Sequence, residues 1–327
     1  MKGNMLLSNK FLKNEKAQFT AVHWILVSII GATIIIFALV FVGKTRPSQE
    51  YQNNAILVNY VDLFFNPFTS GVGSTGKEIK LPFQTEISFS CESGVEKITL
   101  GKGISASSKE IKDKFIFAKD KILTDKIFIF SQPLNLPYEV SDLVLAFDTQ
   151  NKYCLIYDAD SRDFVISLTN ELTDIRDSFT ACNSINCCSQ DSRVITFYSS
   201  PEADVNIVNK AEEFEYGIVN FKGKQSFFID KSTLVSAIFS DYEIYDCNIK
   251  RIGKKISLAS GIYEEKATLL DLREECSYIN INSKITELSK EAEAFSRNPT
   301  LIGAKSIYEY SEEIKKLNRG LNCPQVY

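Results

Sequence analysis

Eight cysteines are the residues of this chain best suited to covalent chemistry. They are Cys91, Cys154, Cys182, Cys187, Cys188, Cys247, Cys276 and Cys323. All follow a long uncharged run near the N-terminus, and their even number suits disulfide formation in an oxidising compartment. Eight cysteines allow on the order of a hundred pairings. We single out Cys276–Cys323, which would join the ends of the last two predicted helices.

The segment "CNSINCC" places three of these cysteines close together at Cys182, Cys187 and Cys188. Structural zinc sites typically use paired C-x₂₋₄-C knuckles, often with histidine. The spacing here is C-x₄-C-C, and the single histidine of the chain, His23, lies far away beside the apolar run. The pattern favours disulfides, with free buried thiols and a metal site as alternatives. We expect no metal and no cofactor, and Cys–His nucleophilic catalysis is excluded.

The stretch "GVGSTGKE", Gly71 to Glu78, contains two near-matches to functional motifs. A phosphate-binding G-x-x-x-x-G-K loop needs a buried strand before it, a helix after it and Ser or Thr following the lysine. Here Glu78 follows the lysine, and a strand-like segment comes next. Ser74 and Lys77 have the S-x-x-K spacing of serine–lysine hydrolases, but the companion triplets are missing. We predict a flexible loop over 68–78.

Asp158 and Asp160 follow a strand-like run and form the clearest acidic pair. Paired carboxylates can perform general acid–base catalysis or bind calcium. Aspartate at the end of a strand is more often a turn residue or a helix cap. The turn is our prediction for this pair, and no residue of the chain is predicted to be catalytic.

A long apolar run near the N-terminus would fix on which side of a membrane the cysteines lie. From Trp24 to Gly43 there is no charged residue, and at about 1.5 Å per residue a helix would span roughly 30 Å. That length matches the hydrocarbon core of a bilayer, whereas a buried core helix is usually shorter. The run is also longer than the apolar core of a signal peptide and ends in a basic stop, so we predict an uncleaved anchor.

Positive charges on either side of the run predict its orientation. The flanking basic residues are Lys2, Lys10, Lys13 and Lys16 before it, and Lys44 and Arg46 after it. Lysine excess marks the cytoplasmic side, so the N-terminus is predicted to be cytoplasmic and the bulk extracytoplasmic. The net charge of −4 then leaves that bulk strongly acidic. An acidic surface repels phosphate backbones, which argues against nucleic acid as a partner.

The segment "KAQF", Lys16 to Phe19, resembles the class III signal sequences of archaeal type IV pilin-like proteins. In that family a basic residue, a small residue and often Gln precede the hydrophobic stem. The resemblance implies that a prepilin-type peptidase cuts between Ala17 and Gln18 and leaves the stem on the mature protein. Val22 and His23 stand where many pilins carry an acidic residue. A plain single-pass anchor is the alternative.

Periodicity divides the rest of the chain. "SQEYQNNAILVNYVDLFFNPF" has apolar residues at helical spacing. Short runs such as "KIFIFS", "DLVLAF" and "YCLIYD" then predict strands, and "SRDFVISLTNELTDIRDSF" predicts a helix among them. "YGIVNFKGKQSFFID" predicts a hairpin that turns at Lys222–Gly223. From about Lys231 onward, apolar stripes near 3.5 spacing predict helices that pack on one another.

The predicted fold class is α+β, with an N-terminal transmembrane helix, a mainly antiparallel β external domain and a C-terminal helical bundle. Its parts are a cytoplasmic basic arm (1–20), a transmembrane helix (21–43), an amphipathic stem helix (44–67), a β-rich external domain (68–230) and a helical region (231–327).

The predicted function is structural or interaction-based, as in a surface, envelope or pilin-like subunit. Its partners would be the membrane, through a single span, and another protein or a second copy of the chain. A ligand-binding or sensory ectodomain that acts through a membrane partner is the alternative. A third class, an external hydrolase, would have to work without histidine.

Overall fold

A computed structural model describes most of the chain after residue 75 and short pieces before it. The described residues are 27, 29–40, 55–56, 58, 75–92, 94–111, 114–148, 150–211, 213–273, 277–321 and 323–327, without the side chains of 75, 104, 173 and 174. The predicted processing site Ala17–Gln18, the basic arm and most of the stem lie outside this range and stay predictions.

The first sheet contains six strands in the order β3-β2-β1-β5-β6-β4. They are β1 (Thr75–Glu92), β2 (Val95–Leu100), β3 (Ser107–Ile111), β4 (Phe115–Phe117), β5 (Lys121–Asn135) and β6 (Glu139–Asp148). All neighbours pair antiparallel except β4 and β6, which are parallel. Alternate residues of a strand point to opposite faces. Accordingly Leu143, Leu145 and Phe147 of β6 join one core cluster, and Val144 and Ala146 join another.

The second sheet contains the remaining strands in the order β12-β11-β10-β9-β7-β8. They are β7 (Tyr153–Ile156), β8 (Phe179–Cys182), β9 (Arg193–Thr196), β10 (Val205–Val208), β11 (Gly217–Phe221) and β12 (Lys224–Phe228). Helix α1 (Arg162–Glu171) and a 3₁₀ turn (Thr173–Ser178) connect β7 to β8. The four strands β7 to β10 run parallel, and β11 and β12 form an antiparallel hairpin.

This parallel arrangement differs from the predicted mainly antiparallel region. A parallel strand is covered on both faces and is apolar along its whole length, whereas an antiparallel strand often alternates. All four residues of β7 are buried, which fits the continuous run "YCLI". The helix predicted between the strands is the crossover that a parallel connection needs.

Four helices follow the strands, as their periodicity predicts. They are α2 (Lys231–Phe239), α3 (Tyr242–Arg273), α4 (Ile279–Arg297) and α5 (Leu301–Arg319). The predicted core positions Ile252, Ile285 and Ile307 are fully buried. Helix α2 begins with a capping box, in which Asp230 accepts from the Thr233 backbone N–H at 2.8 Å.

The predicted hairpin turn at Lys222–Gly223 is confirmed. β11 pairs with β12 on either side of it, and Phe221 faces Lys224. Lys222 has φ 44° and Gly223 has φ 91°, the left-handed conformations that a two-residue hairpin turn requires. Glycine supplies this geometry at no steric cost.

The apolar run is described over residues 29–40, which are helical. Its large side chains are exposed, including Ile34 at 63% and Phe37 at 74%. None of the helices that the described residues form has the length and hydropathy required to cross a bilayer. The α+β class, with mixed sheets and helices at the C-terminal end, is therefore confirmed, and the transmembrane helix stays a prediction.

Candidate functional site

Three disulfides can be placed between cysteines that both lie within the described residues. They are Cys91–Cys247, Cys154–Cys188 and Cys182–Cys187. No cysteine among the described residues is free. Cys276 lies outside the described range, so the Cys276–Cys323 pair stays a prediction.

A group of interacting side chains with a buried centre, which we call the polar joint, connects the first sheet to α3 around the Cys91–Cys247 disulfide. It consists of Cys91, Glu96, Cys247, Asn248 and Arg251. Glu96 faces Cys91 across β1 and β2, and Asn248 follows Cys247 on α3. Asn248 Nδ2 donates to Glu96 Oε1 at 2.6 Å, and Arg251 Nη1 lies 2.8 Å from Glu96 Oε2. A covalent bond and an ion pair thus hold the same two elements together.

Glu96 supplies the carboxyl group of this joint, and its pKa is strongly shifted. Burial raises its pKa from 4.5 to about 7, and the opposing effects of Arg251 and Asn248 do not offset it. The Ile116 backbone N–H also donates to Glu96 Oε1 at 2.8 Å. The side chain is closed off from solvent on all sides, which suits a structural role better than catalysis.

The other four bonded cysteines form a compact group, which we call the cysteine cluster: Cys154, Cys182, Cys187 and Cys188. Their sulfur atoms all lie within 4.8 Å of one another. Cys154 Sγ is 4.0 Å from Cys182 Sγ and 3.9 Å from Cys187 Sγ, although it is bonded to neither. Cys154 is buried in β7, while Cys187 is exposed in a 3₁₀ turn. The cluster therefore extends from the core to the surface.

The four sulfur atoms of this cluster are also close enough together to hold a metal ion if they were reduced. Four thiolates at the corners of a zinc tetrahedron lie about 3.8 Å apart, close to the two non-bonded distances in the cluster. With both disulfides formed, no thiolate is available to coordinate a metal. The prediction that the chain binds no metal thus depends on the oxidation state of these sulfurs.

A second feature, which we call the charged cleft, opens where the ends of both sheets meet the start of α3. Its volume is about 590 Å³, and its walls include Lys119, Asp120, Asp191, Arg193, Lys224 and Asp241. Both signs of charge are present, and several are paired. Lys222 Nζ lies 2.6 Å from Asp204 Oδ1, and Lys224 pairs with Glu243.

Asp241 connects the two sheets at this cleft. Its Oδ2 accepts from the Asp120 backbone N–H at 3.0 Å, and its Oδ1 accepts from Arg193 Nη1 at 2.8 Å. The hydrogen bond between the two carboxyl groups raises the pKa of Asp120 to about 6. Although burial raises the pKa of Asp241, the Asp120 hydrogen bond and the Arg193 charge hold it below its usual value. The pair therefore shares a proton below about pH 6.

Behind this cleft lie polar atoms for which the described residues supply no hydrogen-bond partner. They are the Tyr153 hydroxyl, Arg193 Nε and the Ser240 hydroxyl, and each is buried. Tyr153 and Arg193 face each other on β7 and β9. Burial raises the pKa of Tyr153, so it is a neutral phenol at physiological pH. Unpartnered buried polar groups are costly, and they often accompany functional sites.

A short loop joins the cysteine cluster to the charged cleft. Cys188 is separated from the cleft residue Asp191 only by Ser189 and Gln190. Within the loop the Ser189 and Ser192 hydroxyls are 2.6 Å apart. The cluster therefore anchors one wall of the cleft.

A further cleft of about 500 Å³ lies between α1, the start of α2 and β5. Its walls carry Asp160, Asp163, Glu171 and Glu213, with Lys231 as the cation. The neighbouring Asp158 is a turn residue, as predicted, because its Oδ1 accepts from the Ser161 backbone N–H at 2.9 Å. Asp158 also forms an ion pair with Lys210 Nζ at 3.2 Å, while Asp160 lines this cleft.

The glycine-rich segment does not form a phosphate-binding site over its described part. The loop predicted for 68–78 ends earlier, because β1 begins at Thr75. Gly76 and Lys77 pair with Phe130 and Ile129 of β5. A β-carbon at Gly76 would lie 2.6 Å from the Phe128 ring, so the glycine allows this close packing.

An exposed apolar surface, which we call the α3 stripe, covers the outer side of the second half of α3. It consists of Leu258 (60% exposed), Ile262 (69%), Leu269 (47%) and Leu272 (78%). At about 100° per residue these four side chains fall within roughly 80° of the helix circumference. Exposed Glu265 lies at the centre of the same face. Contiguous exposed apolar residues mark interaction sites more often than isolated ones.

Sequence reasoning missed both the charged cleft and the polar joint, because their members come from segments far apart in the chain. The α3 stripe did leave a signal. Leu258, Ile262, Leu269 and Leu272 repeat at helical spacing beside the predicted core stripe, so α3 carries apolar residues on two faces. A helix with two apolar faces needs a second partner.

Comparison of the chain with protein families, with curated proteins and with solved structures found no match.

Proposed function

We propose that this chain is a single-pass membrane-anchored protein whose disulfide-stabilised external domain has a structural or interaction role, as in a surface, envelope or pilin-like subunit. The partner we propose is a second copy of the chain. The proposed role does not require a catalytic site.

The observation that carries the proposal is the α3 stripe. A two-fold axis near Glu265 would place Leu258 of one copy opposite Leu272 of the other, because the two residues are equally far from position 265. The same patch then serves both copies, as in most closed dimers. Leu258 and Ile262 lie on one side of Glu265, and Leu269 and Leu272 lie on the other. These exposed side chains supply the apolar area that such an interface buries, and the Glu265 carboxylates of the two copies lie near the axis.

Tethering supports this assignment. The uncharged residues between Trp24 and Gly43 are sufficient for one bilayer crossing, and the described part, 29–40, is helical with exposed apolar side chains. Chains held in one membrane meet at a high effective concentration, so a modest stripe can sustain their association. The disulfides agree with an oxidising exterior.

The experiment that tests the proposal crosslinks the full chain within its membrane and measures the fraction of crosslinked dimer by electrophoresis. Ile262→Glu places a charge in the stripe and is expected to convert dimers to monomers. Ile302→Glu is the matched control, because Ile302 is 78% exposed on α5, outside the stripe. A monomeric wild-type chain, or equal effects of the two variants, would contradict self-association through this surface.

A ligand-binding ectodomain is the second candidate, and the charged cleft favours it. Its volume of about 590 Å³ lies in the usual range for small-ligand sites. Walls of both signs suit a zwitterion such as a free amino acid. A set of amino acids added singly should then raise the unfolding temperature of the wild-type chain, and Lys119→Gln should reduce that shift.

A further inference from the structure

The cysteine cluster contains two disulfides in contact with each other. Cys154 Sγ lies 3.9 Å from Cys187 Sγ and 4.0 Å from Cys182 Sγ, and both of these sulfurs belong to the neighbouring disulfide. Thiol–disulfide exchange requires a thiolate to reach a disulfide sulfur directly. A thiolate formed at Cys187 or Cys182 would already lie beside the Cys154–Cys188 bond.

The two disulfides differ in their access to solvent. Cys187 is exposed and Cys182 is half-buried, whereas Cys154 is completely buried in β7. An external reductant therefore meets the Cys182–Cys187 pair first. We call Cys154–Cys188 the buried pair because Cys154 is completely buried, although Cys188 is half-buried like Cys182. The Cys154 sulfur is reached most directly from inside the cluster.

The third described disulfide provides the contrast. Cys91–Cys247 lies in the polar joint between β1 and α3, and no other disulfide contacts it among the described residues. Within the described part of the chain it therefore has no neighbouring disulfide that could supply a thiolate for exchange. That bond suits a purely structural role, whereas the two disulfides of the cysteine cluster are placed to exchange with each other.

We propose that the cysteine cluster is a thiol–disulfide exchange centre that takes reducing equivalents from an external dithiol and passes them from the exposed pair to the buried pair. A thiolate of the dithiol attacks Cys187 Sγ, and Cys182 leaves as a thiolate and takes up a proton. The second thiol of the reagent then attacks its own sulfur in the mixed disulfide. The reagent leaves as a disulfide, two electrons poorer, and Cys187 is released as a thiolate.

The internal step is neutral in redox terms. The Cys187 thiolate attacks Cys154 Sγ, the Cys154–Cys187 bond forms, and the Cys154–Cys188 bond breaks. Cys188 leaves as a thiolate and takes a proton from solvent. Cys182 then loses its proton to solvent and attacks Cys187 Sγ. The Cys182–Cys187 bond re-forms, the Cys154–Cys187 bond breaks, and Cys154 leaves as a thiolate, so the two electrons now lie on Cys154 and Cys188. Because Cys188 leads directly into the loop of Ser189 to Ser192, its release also frees one wall of the charged cleft.

The test uses the full chain in its oxidised state, treated with one equivalent of dithiothreitol at about pH 8, where thiolates are available. Samples are quenched with acid at intervals, alkylated with N-ethylmaleimide and mapped without reduction. The proposal expects a new peptide that links Cys154 to Cys187 or Cys182, with alkylation at Cys188. Cys91–Cys247 should stay intact throughout.

A double variant, Cys182→Ser with Cys187→Ser, removes the entry point. Reduction of Cys154–Cys188 should then be at least ~10-fold slower, because access limits the exchange rate. An unchanged rate in this variant overturns the proposal. Should the variant fail to fold, the wild-type time course decides alone: reduction without any rearranged linkage would show two independent disulfides.

Discussion

At the scale of single residues, Glu96 shows how burial and pairing compete. Arg251, Asn248 and the Ile116 N–H all favour its charged form, but removing the carboxylate from water costs more. Its folded-state pKa of about 7 exceeds the ordinary 4.5, so the folded protein keeps a proton that the unfolded chain releases. Stability from this group is present below pH 4.5 and is lost as the pH rises through 7.

Glu96→Gln should remove this pH dependence, because glutamine keeps the shape but cannot ionise. The wild type should lose up to about 3 kcal/mol relative to the variant as the pH rises from 4.5 to beyond 7. Urea denaturation of both proteins at several pH values measures the difference. A constant difference, or one that grows in favour of the wild type, would mean that the ion pair with Arg251 outweighs burial.

The sequence could not have identified Glu96 as special. It lies in a strand-like run, "EKITL", where a charged residue is ordinarily solvent-facing, and its partners Asn248 and Arg251 are more than a hundred residues later. The turn role of Asp158 was predictable, because its partner Ser161 is only three residues away. Local hydrogen bonds leave a local pattern, whereas long-range polar networks do not.

At the scale of elements, the crossing of α3 and α4 depends on Gly253. A β-carbon there would lie 3.0 Å from the Ala292 carbonyl oxygen and 3.1 Å from the Ser296 nitrogen, both on the backbone of α4. Backbone atoms cannot rotate out of the way as a side chain can. The two helices approach closely only because this position has no side chain.

Gly253→Ala should therefore destabilise the protein by about 1–3 kcal/mol, the usual cost of overpacking. Gly261→Ala is the matched control, because it lies in the same helix and has nothing within 4 Å of its would-be β-carbon. That change should stabilise the helix by roughly 0.5–1 kcal/mol. Thermal unfolding of both variants checks the prediction, and two shifts of the same sign would contradict the close crossing.

The disulfides differ in how much of the chain they constrain. Cys91–Cys247 closes a separation of 156 residues, and Cys182–Cys187 closes one of 5. If a disulfide stabilises by restricting the unfolded chain, replacing Cys91 and Cys247 by serine should lower the free energy of unfolding by about 5 kcal/mol. Replacing Cys182 and Cys187 should lower it by about 2 kcal/mol. Chemical denaturation under non-reducing conditions measures both. A larger loss from the short pair would contradict this ranking.

Helices whose apolar residues repeat at regular spacing could be predicted from the sequence. The pairing between strands could be predicted less well. The stripes of α3, α4 and α5 follow directly from apolar spacing, and the Lys222–Gly223 turn follows from its residues. The parallel direction of β7 to β10 depends on long-range pairing that strand-like runs do not encode. The disulfide connectivity is likewise set by which strands and helices come together.

Three features describe the molecule as a whole: an uncharged N-terminal run, an acidic bulk and paired cysteines. Lipid around residues 24–43 would place everything after Arg46 on the far side of the membrane, where disulfides persist. The α3 stripe would then mediate contact between tethered copies. The lysine excess before the run and the paired cysteines favour the same compartment on separate physical grounds.

Ile35→Arg should weaken the membrane association of the chain. A basic residue in the centre of a transmembrane helix costs about 2.5–3.5 kcal/mol on insertion scales. Ile35→Leu is the control, because it keeps the run apolar. Carbonate extraction of membranes from expressing cells measures the bound fraction. Equal extraction of the two variants would contradict a bilayer-spanning run.

The most direct test of the central claim is the oxidation state of Cys91 and Cys247 in native material. Cells that produce the chain are treated with N-ethylmaleimide before lysis, and the purified protein is mapped without reduction. The account predicts a linked Cys91–Cys247 peptide with neither cysteine alkylated. Alkylation of both residues in the native protein would place the domain in a reducing compartment and contradict the account.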